Sequence, residues 1–68
     1  MPGYGWSYLV VTRTEEPAGA APRFEVSDGS TFDAEDRMLG ELGVTGWELV
    51  AIRQAGARVV FYFKRPRA

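Results

Sequence analysis

Residues 33–50, DAEDRMLGELGVTGWELV, change their hydrophobic period in mid-stretch. In the first half Met38, Leu39 and Leu42 fall on one face at i, i+1 and i+4, the spacing of a helix with one buried stripe. A helix is expected over residues 33–42. Thr31 or Asp33 is placed to cap its start. Asp33, Glu35 and Asp36 put negative charge where the helix dipole favours it, and Phe32 can staple the first turn. Gly40 inside the helix predicts a close approach to the sheet. Gly43 is expected as the left-handed residue that ends the helix. Gly46 then turns the chain, and from Trp47 the pattern becomes that of a strand.

That strand should cover residues 47–54, with Trp47, Leu49, Ala51 and Arg53 on one face and Glu48, Val50, Ile52 and Gln54 on the other. Ala55-Gly56-Ala57 is a tight connection into a last strand, residues 58–64. The centre of that strand, Val59-Val60-Phe61-Tyr62-Phe63, is apolar on both sides. Pro66 ends it, and residues 65–68 form a basic tail.

Working back toward the N-terminus, residues 6–13 read as a strand. Trp6, Tyr8, Val10 and Thr12 alternate with Ser7, Leu9, Val11 and Arg13. Residues 14–31 form a variable loop or carry a short edge strand. Pro17, Gly19 and Pro22 interrupt regular structure over 14–22. RFEVS, residues 23–27, is the candidate strand, with Phe24 and Val26 facing the core. It would pair with the first strand as a long-looped hairpin. Asp28-Gly29-Ser30 turns the chain after it.

These elements predict one α+β domain over residues 1–68. Its sheet is small, mainly antiparallel and three- to four-stranded, with one helix packed on one face in the order β-(β)-α-β-β. A ten-residue helix is about 15 Å long. It cannot cover both faces of a sheet, yet the last strand is apolar on both faces, as a doubly covered strand would be. A second copy of the chain is the economical cover. Trp6, Tyr8, Val60 and Tyr62 are the candidate interface, and a homo-oligomer, a dimer or higher, is expected. A different protein partner is also compatible with this surface.

Composition narrows the chemistry. Sixty-eight residues make a domain that buries only about 60% of its unfolded surface. The chain has no cysteine and no histidine, so disulfides and the commonest zinc ligands are missing. Ser-His and Cys-His nucleophiles are excluded for the same reason. Asp33, Glu35 and Asp36 form the only close acidic cluster, and a helix start explains them without catalysis. Lys64, the sole lysine, lies beside Arg65 and Arg67 and reads as a solvated tip. No catalytic residue, metal site or cofactor is expected, and the chain is not expected to be an enzyme. No leader is evident in residues 1–6, and no apolar run approaches the roughly 20 residues that span a bilayer. Cytoplasmic location without membrane attachment is the expectation.

The run Leu39-Gly40-Glu41-Leu42-Gly43-Val44-Thr45-Gly46-Trp47-Glu48-Leu49-Val50 resembles the LNxLGxxGWELV signature of the DUF4177 family, small bacterial proteins without an assigned function. Trp6-Ser7-Tyr8-Leu9-Val10 is similar to that family's opening W-x-Y-x-V strand, and Phe61-Tyr62-Phe63-Lys64-Arg65 to its closing F-K-R strand. Residues 14–31 have no counterpart, and Gly40 stands where the family has Asn. The resemblance implies a strand–helix–strand–strand domain and carries over no catalytic residue. Each of its central residues has a structural reading. Gly43 and Gly46 supply backbone freedom at cap and turn, Trp47 anchors the strand against the helix, and Glu48 can bond a cap or a cross-strand Arg.

Two binding classes remain. The first is a non-catalytic module that self-associates through its sheet. The second is single-stranded nucleic-acid binding, with Arg53, Arg58, Lys64 and Arg65 as candidate phosphate contacts and Tyr8, Phe61, Tyr62 and Phe63 as stacking platforms. A net charge of −1 weighs against the second. A small ligand carrier would need a pocket shared between subunits.

Overall fold

The computed structural model describes residues 5–15, 19 and 21–67. The elements in chain order are β1 (Trp6–Thr14), β2 (Arg23–Val26), β3 (Thr31–Phe32), α1 (Glu35–Val44), β4 (Glu48–Ala55) and β5 (Arg58–Pro66). The fold is α+β, with one helix and a five-stranded antiparallel sheet of order β3-β2-β1-β5-β4 among the described residues. The leader reading rests on residues 1–6, of which 1–4 lie outside the described residues. So do residues 16–18 and 20 of the expected loop and the last residue of the basic tail.

The sheet has one strand more than the sequence pattern suggests. The short hairpin partner is real: β2 pairs with β1, placing Val11 opposite Val26 and Arg13 opposite Phe24. It is not an edge, however. Thr31 and Phe32, expected at or before the helix cap, pair with Glu25 and Phe24 and form β3 outside it. Two residues carry no alternation signal, so only the tertiary pairing reveals them. Between these strands the chain turns at residues 27–30. The Ser30 amide donates to Asp28 Oδ1 at 2.9 Å, and the Ser30 hydroxyl donates to the same oxygen.

Residues directly opposite in an antiparallel ladder share a face. The registers therefore sort the sheet. Leu9 and Val11 of β1, Phe24 and Val26 of β2, and Phe61 and Phe63 of β5 point to the helix side. There they meet Met38 and Leu42 of α1, and all eight are buried. Phe32, Leu39, Trp47 and Val59 pack around them. The Phe24 and Phe61 rings lie 6.1 Å apart at a tilt of 50°, a favourable aromatic geometry. The expected alternation of β1 and the inward Phe24 and Val26 match these registers.

Three details of α1 differ from the sequence reading. The helix runs two residues later, and its N-cap is Ala34, which supplies no side-chain hydrogen bond. Thr31 is committed to the sheet, and Asp33 lies one position short of the cap. Gly40 is exposed with open space where a Cβ would stand, so no close approach to the sheet explains it. Gly43 lies inside the helix, and the left-handed residue is Gly46, at φ +93°. The Gly46 amide donates to the Gly43 carbonyl at 3.0 Å and the Trp47 amide to the Leu42 carbonyl at 2.9 Å. This double closure is a Schellman cap, which places the left-handed glycine three residues beyond the expected one.

The β4–β5 hairpin closes through Gly56 and Ala57. Gly56 has φ +63° and Ala57 an ordinary φ, the sign pattern of a type II′ turn. The expected alternation of β4 breaks between Leu49 and Ala51, where the register shifts. Leu49 faces Phe63 and Ile52 faces Phe61, both on the helix side, whereas Glu48, Ala51 and Arg53 face Lys64, Tyr62 and Val60 on the far side. Val50 is the extra residue of a β-bulge, which restores to one face residues that simple alternation would separate.

Candidate functional site

Among the described residues, part of one sheet face and the whole of one edge strand are left without cover. The first is the face away from α1. Trp6 and Tyr8 of β1 project there and are 43% and 69% exposed. Tyr62 of β5 is half-buried beside them, and Val60 is buried among its neighbours. The four candidate interface residues thus share one face, as alternation requires. Two cations already lie on its rings. The Lys64 ammonium is 4.0 Å from the Trp6 ring centroid, and the Arg53 guanidinium is 6.0 Å from that of Tyr62. Exposed cation–π contacts of this kind are worth about 0.5–1 kcal/mol.

The basic residues do not act together as expected. Arg53, Arg58 and Lys64 lie on the far face by register. Arg65 lies on the helix side, because alternation places it one step out of phase with Lys64. It donates from Nη1 to the Thr45 carbonyl at 2.9 Å and stacks 4.3 Å above the Trp47 ring. Arg65 therefore ties the end of β5 to the helix C-terminus, where a cation complements the dipole. The stacking platform divides as well. Phe61 and Phe63 are buried in the core, which leaves Tyr8 and Tyr62 on the outer face.

The central motif is structural in its geometry. Gly46 supplies the cap, Trp47 packs against the core and carries Arg65, and Gly43 is an ordinary helical residue. Glu48 bonds neither the cap nor an Arg. It stands across the ladder from Lys64, and no ion pair among the described residues uses it. The ion pairs among the described residues are Arg13–Glu15, Arg23–Glu25 and Arg37–Glu41.

The second uncovered surface is β4. It forms one edge of the sheet, and all eight of its residues are exposed. Leu49, Val50 and Ile52 present apolar side chains there, Ile52 at 57% exposure. Val44 at the end of α1 is also exposed. Sequence reasoning did not assign Leu49, Val50 or Ile52 to a surface. Their apolar character was visible, but their exposure follows from strand order, which puts no neighbour beyond β4.

A shallow cleft of about 610 Å³ lies between α1 and the β2–β3 hairpin. Its charged lining balances Arg23 and Arg37 against Asp33 and Glu41, and Arg37 is already paired with Glu41 at 3.3 Å. It offers no convergent charge for a ligand. Near the hairpin tip, hydrogen bonds from the Ser30 hydroxyl and amide hold the Asp28 carboxyl below its ordinary range. Among the described residues no group of three Asp or Glu side chains gathers as metal ligands do, and no helix is long and apolar enough to cross a membrane.

No family model matches the chain, and neither a curated protein nor a solved structure matches it.

Proposed function

We propose that this chain is a non-catalytic interaction module that self-associates through its sheet. The observation that carries the reading is β4, an eight-residue edge strand with no buried residue and three exposed large apolar side chains. An edge strand presents unpaired backbone donors and acceptors, and chains that stay monomeric normally shorten, charge, bulge or cover such an edge; β4 has a bulge at Val50 and two charges, but it is eight residues long and uncovered among the described residues. The far-face patch of Trp6, Tyr8 and Tyr62 adjoins this edge and extends the surface. The likeness to the DUF4177 family supports the order of elements and adds no activity to this reading. Light scattering across micromolar concentrations tests it. A mass above the monomer, rising with concentration, is expected; a clean monomer throughout removes the proposal.

Single-stranded nucleic-acid binding has one observation in its favour. Arg53, Arg58 and Lys64 share the far face with Trp6, Tyr8 and Tyr62, and such a mixture suits backbone neutralisation with base stacking. Fluorescence anisotropy with short RNA and DNA at two salt concentrations separates the two readings. Binding that weakens steeply with salt would favour the nucleic-acid reading. No binding at low salt removes it.

A further inference from the structure

The edge strand β4 carries a self-complementary pattern, and its bulge is what makes the pattern usable. Two copies that pair antiparallel through one edge are related by a two-fold axis perpendicular to the sheet. Residues opposite one another across such a junction share a face. In an unbroken strand, residues an odd number apart lie on opposite faces and cannot meet in this way. Glu48 and Arg53 are an odd number apart, as are Leu49 and Ile52. The extra residue Val50 brings each pair back onto one face: Glu48 and Arg53 on the far side, Leu49 and Ile52 on the helix side.

Resting on the self-association reading, we propose that the partner is a second copy of this chain, joined by antiparallel pairing of β4 with β4 about a two-fold axis at Ala51. In this register Ala51 of one copy stands opposite Ala51 of the other. Leu49 meets Ile52 on the helix side, and Glu48 meets Arg53 on the far side. Each contact occurs twice by symmetry. The junction joins the two five-stranded sheets into one of ten strands. Four exposed apolar side chains gain partners along one face, and two ion pairs form on the other. Neither Glu48 nor Arg53 is engaged in an ion pair among the described residues, and the pairing competes only with the Arg53 contact described above, 6.0 Å from the Tyr62 ring. At the axis the small Ala51 lets the backbones approach. The opposite edge offers no such pairing, because β3 is two residues long.

The chain has no cysteine, so one introduced thiol reports a single contact. Opposed Cα atoms in an antiparallel ladder are about 4.5–5.5 Å apart, inside the range a disulfide spans. Ala51→Cys should give a covalent dimer under mild oxidation, and Gln54→Cys, about 20 Å from its own copy in this register, should not. Glu48→Arg and Arg53→Glu should each weaken the dimer about tenfold, since two symmetry-related pairs change at once. The double variant E48R/R53E should recover the affinity of the original chain. If the chain self-associates but Ala51→Cys fails to cross-link and the double variant stays weak, this register is wrong and the association uses another surface. If the original chain stays monomeric, the register falls together with the reading it rests on. Circular dichroism of each variant confirms that the exposed substitutions leave the fold intact.

Discussion

The β3 edge of the sheet is two residues long and lies against α1; the β4 edge is eight residues long, and no part of it is buried. At the first, Phe32 packs on the core beside its ladder partner Phe24, and the Asp28–Ser30 turn closes the hairpin. At the second, Leu49, Val50 and Ile52 stand in solvent. A sheet edge can be ended by brevity and packing or left open for pairing. This molecule does one on each side. The closed edge should therefore govern stability, and the open edge association.

Phe24→Ala strikes the closed side hardest. Removing a buried Phe side chain costs about 3–5 kcal/mol, comparable to all that a single small core supplies. Loss of the cooperative thermal transition by circular dichroism is expected. A variant that melts within a few degrees of the original chain would show that the core does not depend on this side.

Gly46→Ala affects the passage from α1 into the open edge. A side chain at φ +93° imposes left-handed strain of roughly 1–2 kcal/mol. Nothing crowds the position beyond an ordinary contact with Arg65, so strain is the whole effect. Urea titration should show a lower midpoint with an unchanged slope.

Ile52→Lys separates the two edges most directly. The side chain is exposed, so the stability of the isolated chain should move by less than about 0.5 kcal/mol. Association should be lost, because a charge replaces an apolar partner at a paired edge. For the original chain the melting temperature should rise with concentration, as mass action requires. For the variant it should not. A concentration-dependent melt that survives in Ile52→Lys would move the interface to the far face.

The smallest effect belongs to pH. The Asp28 carboxyl is held below its ordinary range by hydrogen bonds from Ser30. Its contribution is present above the ordinary carboxylate value and is lost as pH falls through the lowered one. Because the group is fully exposed, only local loosening is expected. Exchange of the Ser30 amide, taken relative to its intrinsic rate at each pH, should lose protection on acidification, and Asp28→Asn should flatten that dependence. Exchange at β4 should show no matching step.

Much of this arrangement was legible in the residues. The alternation of residues 6–13, the inward Phe24 and Val26, the stripe of Met38, Leu39 and Leu42, and the doubly apolar last strand each follow from short-range periodicity. Periodicity also put Trp6 with Tyr8 and Val60 with Tyr62, but only the β1–β5 register set the two pairs on a common face. The errors lie where a neighbour overrides the local pattern. Thr31 and Phe32 form a strand only because β2 offers a ladder. Gly46 rather than Gly43 takes the left-handed angle because α1 runs on for two more residues. The bulge at Val50 arises from pairing with β5, and it reversed the expected faces of Ala51 and Ile52 relative to Leu49. Arg65 looked like one more tail cation until its carbonyl partner and the Trp47 ring were in place.

By itself the sequence determined the elements other than the two-residue β3, the amphipathic faces of β1, β2, α1 and β5, and the absence of disulfide and histidine chemistry, since each depends on residue identity or on spacing within a few positions. The tertiary structure alone decided which strand stands at the rim, which aromatic rings meet a cation and which residues across a bulge share a side. Those depend on pairings between segments far apart along the chain, and a one-residue shift in any of them turns every side chain of a strand to the opposite face.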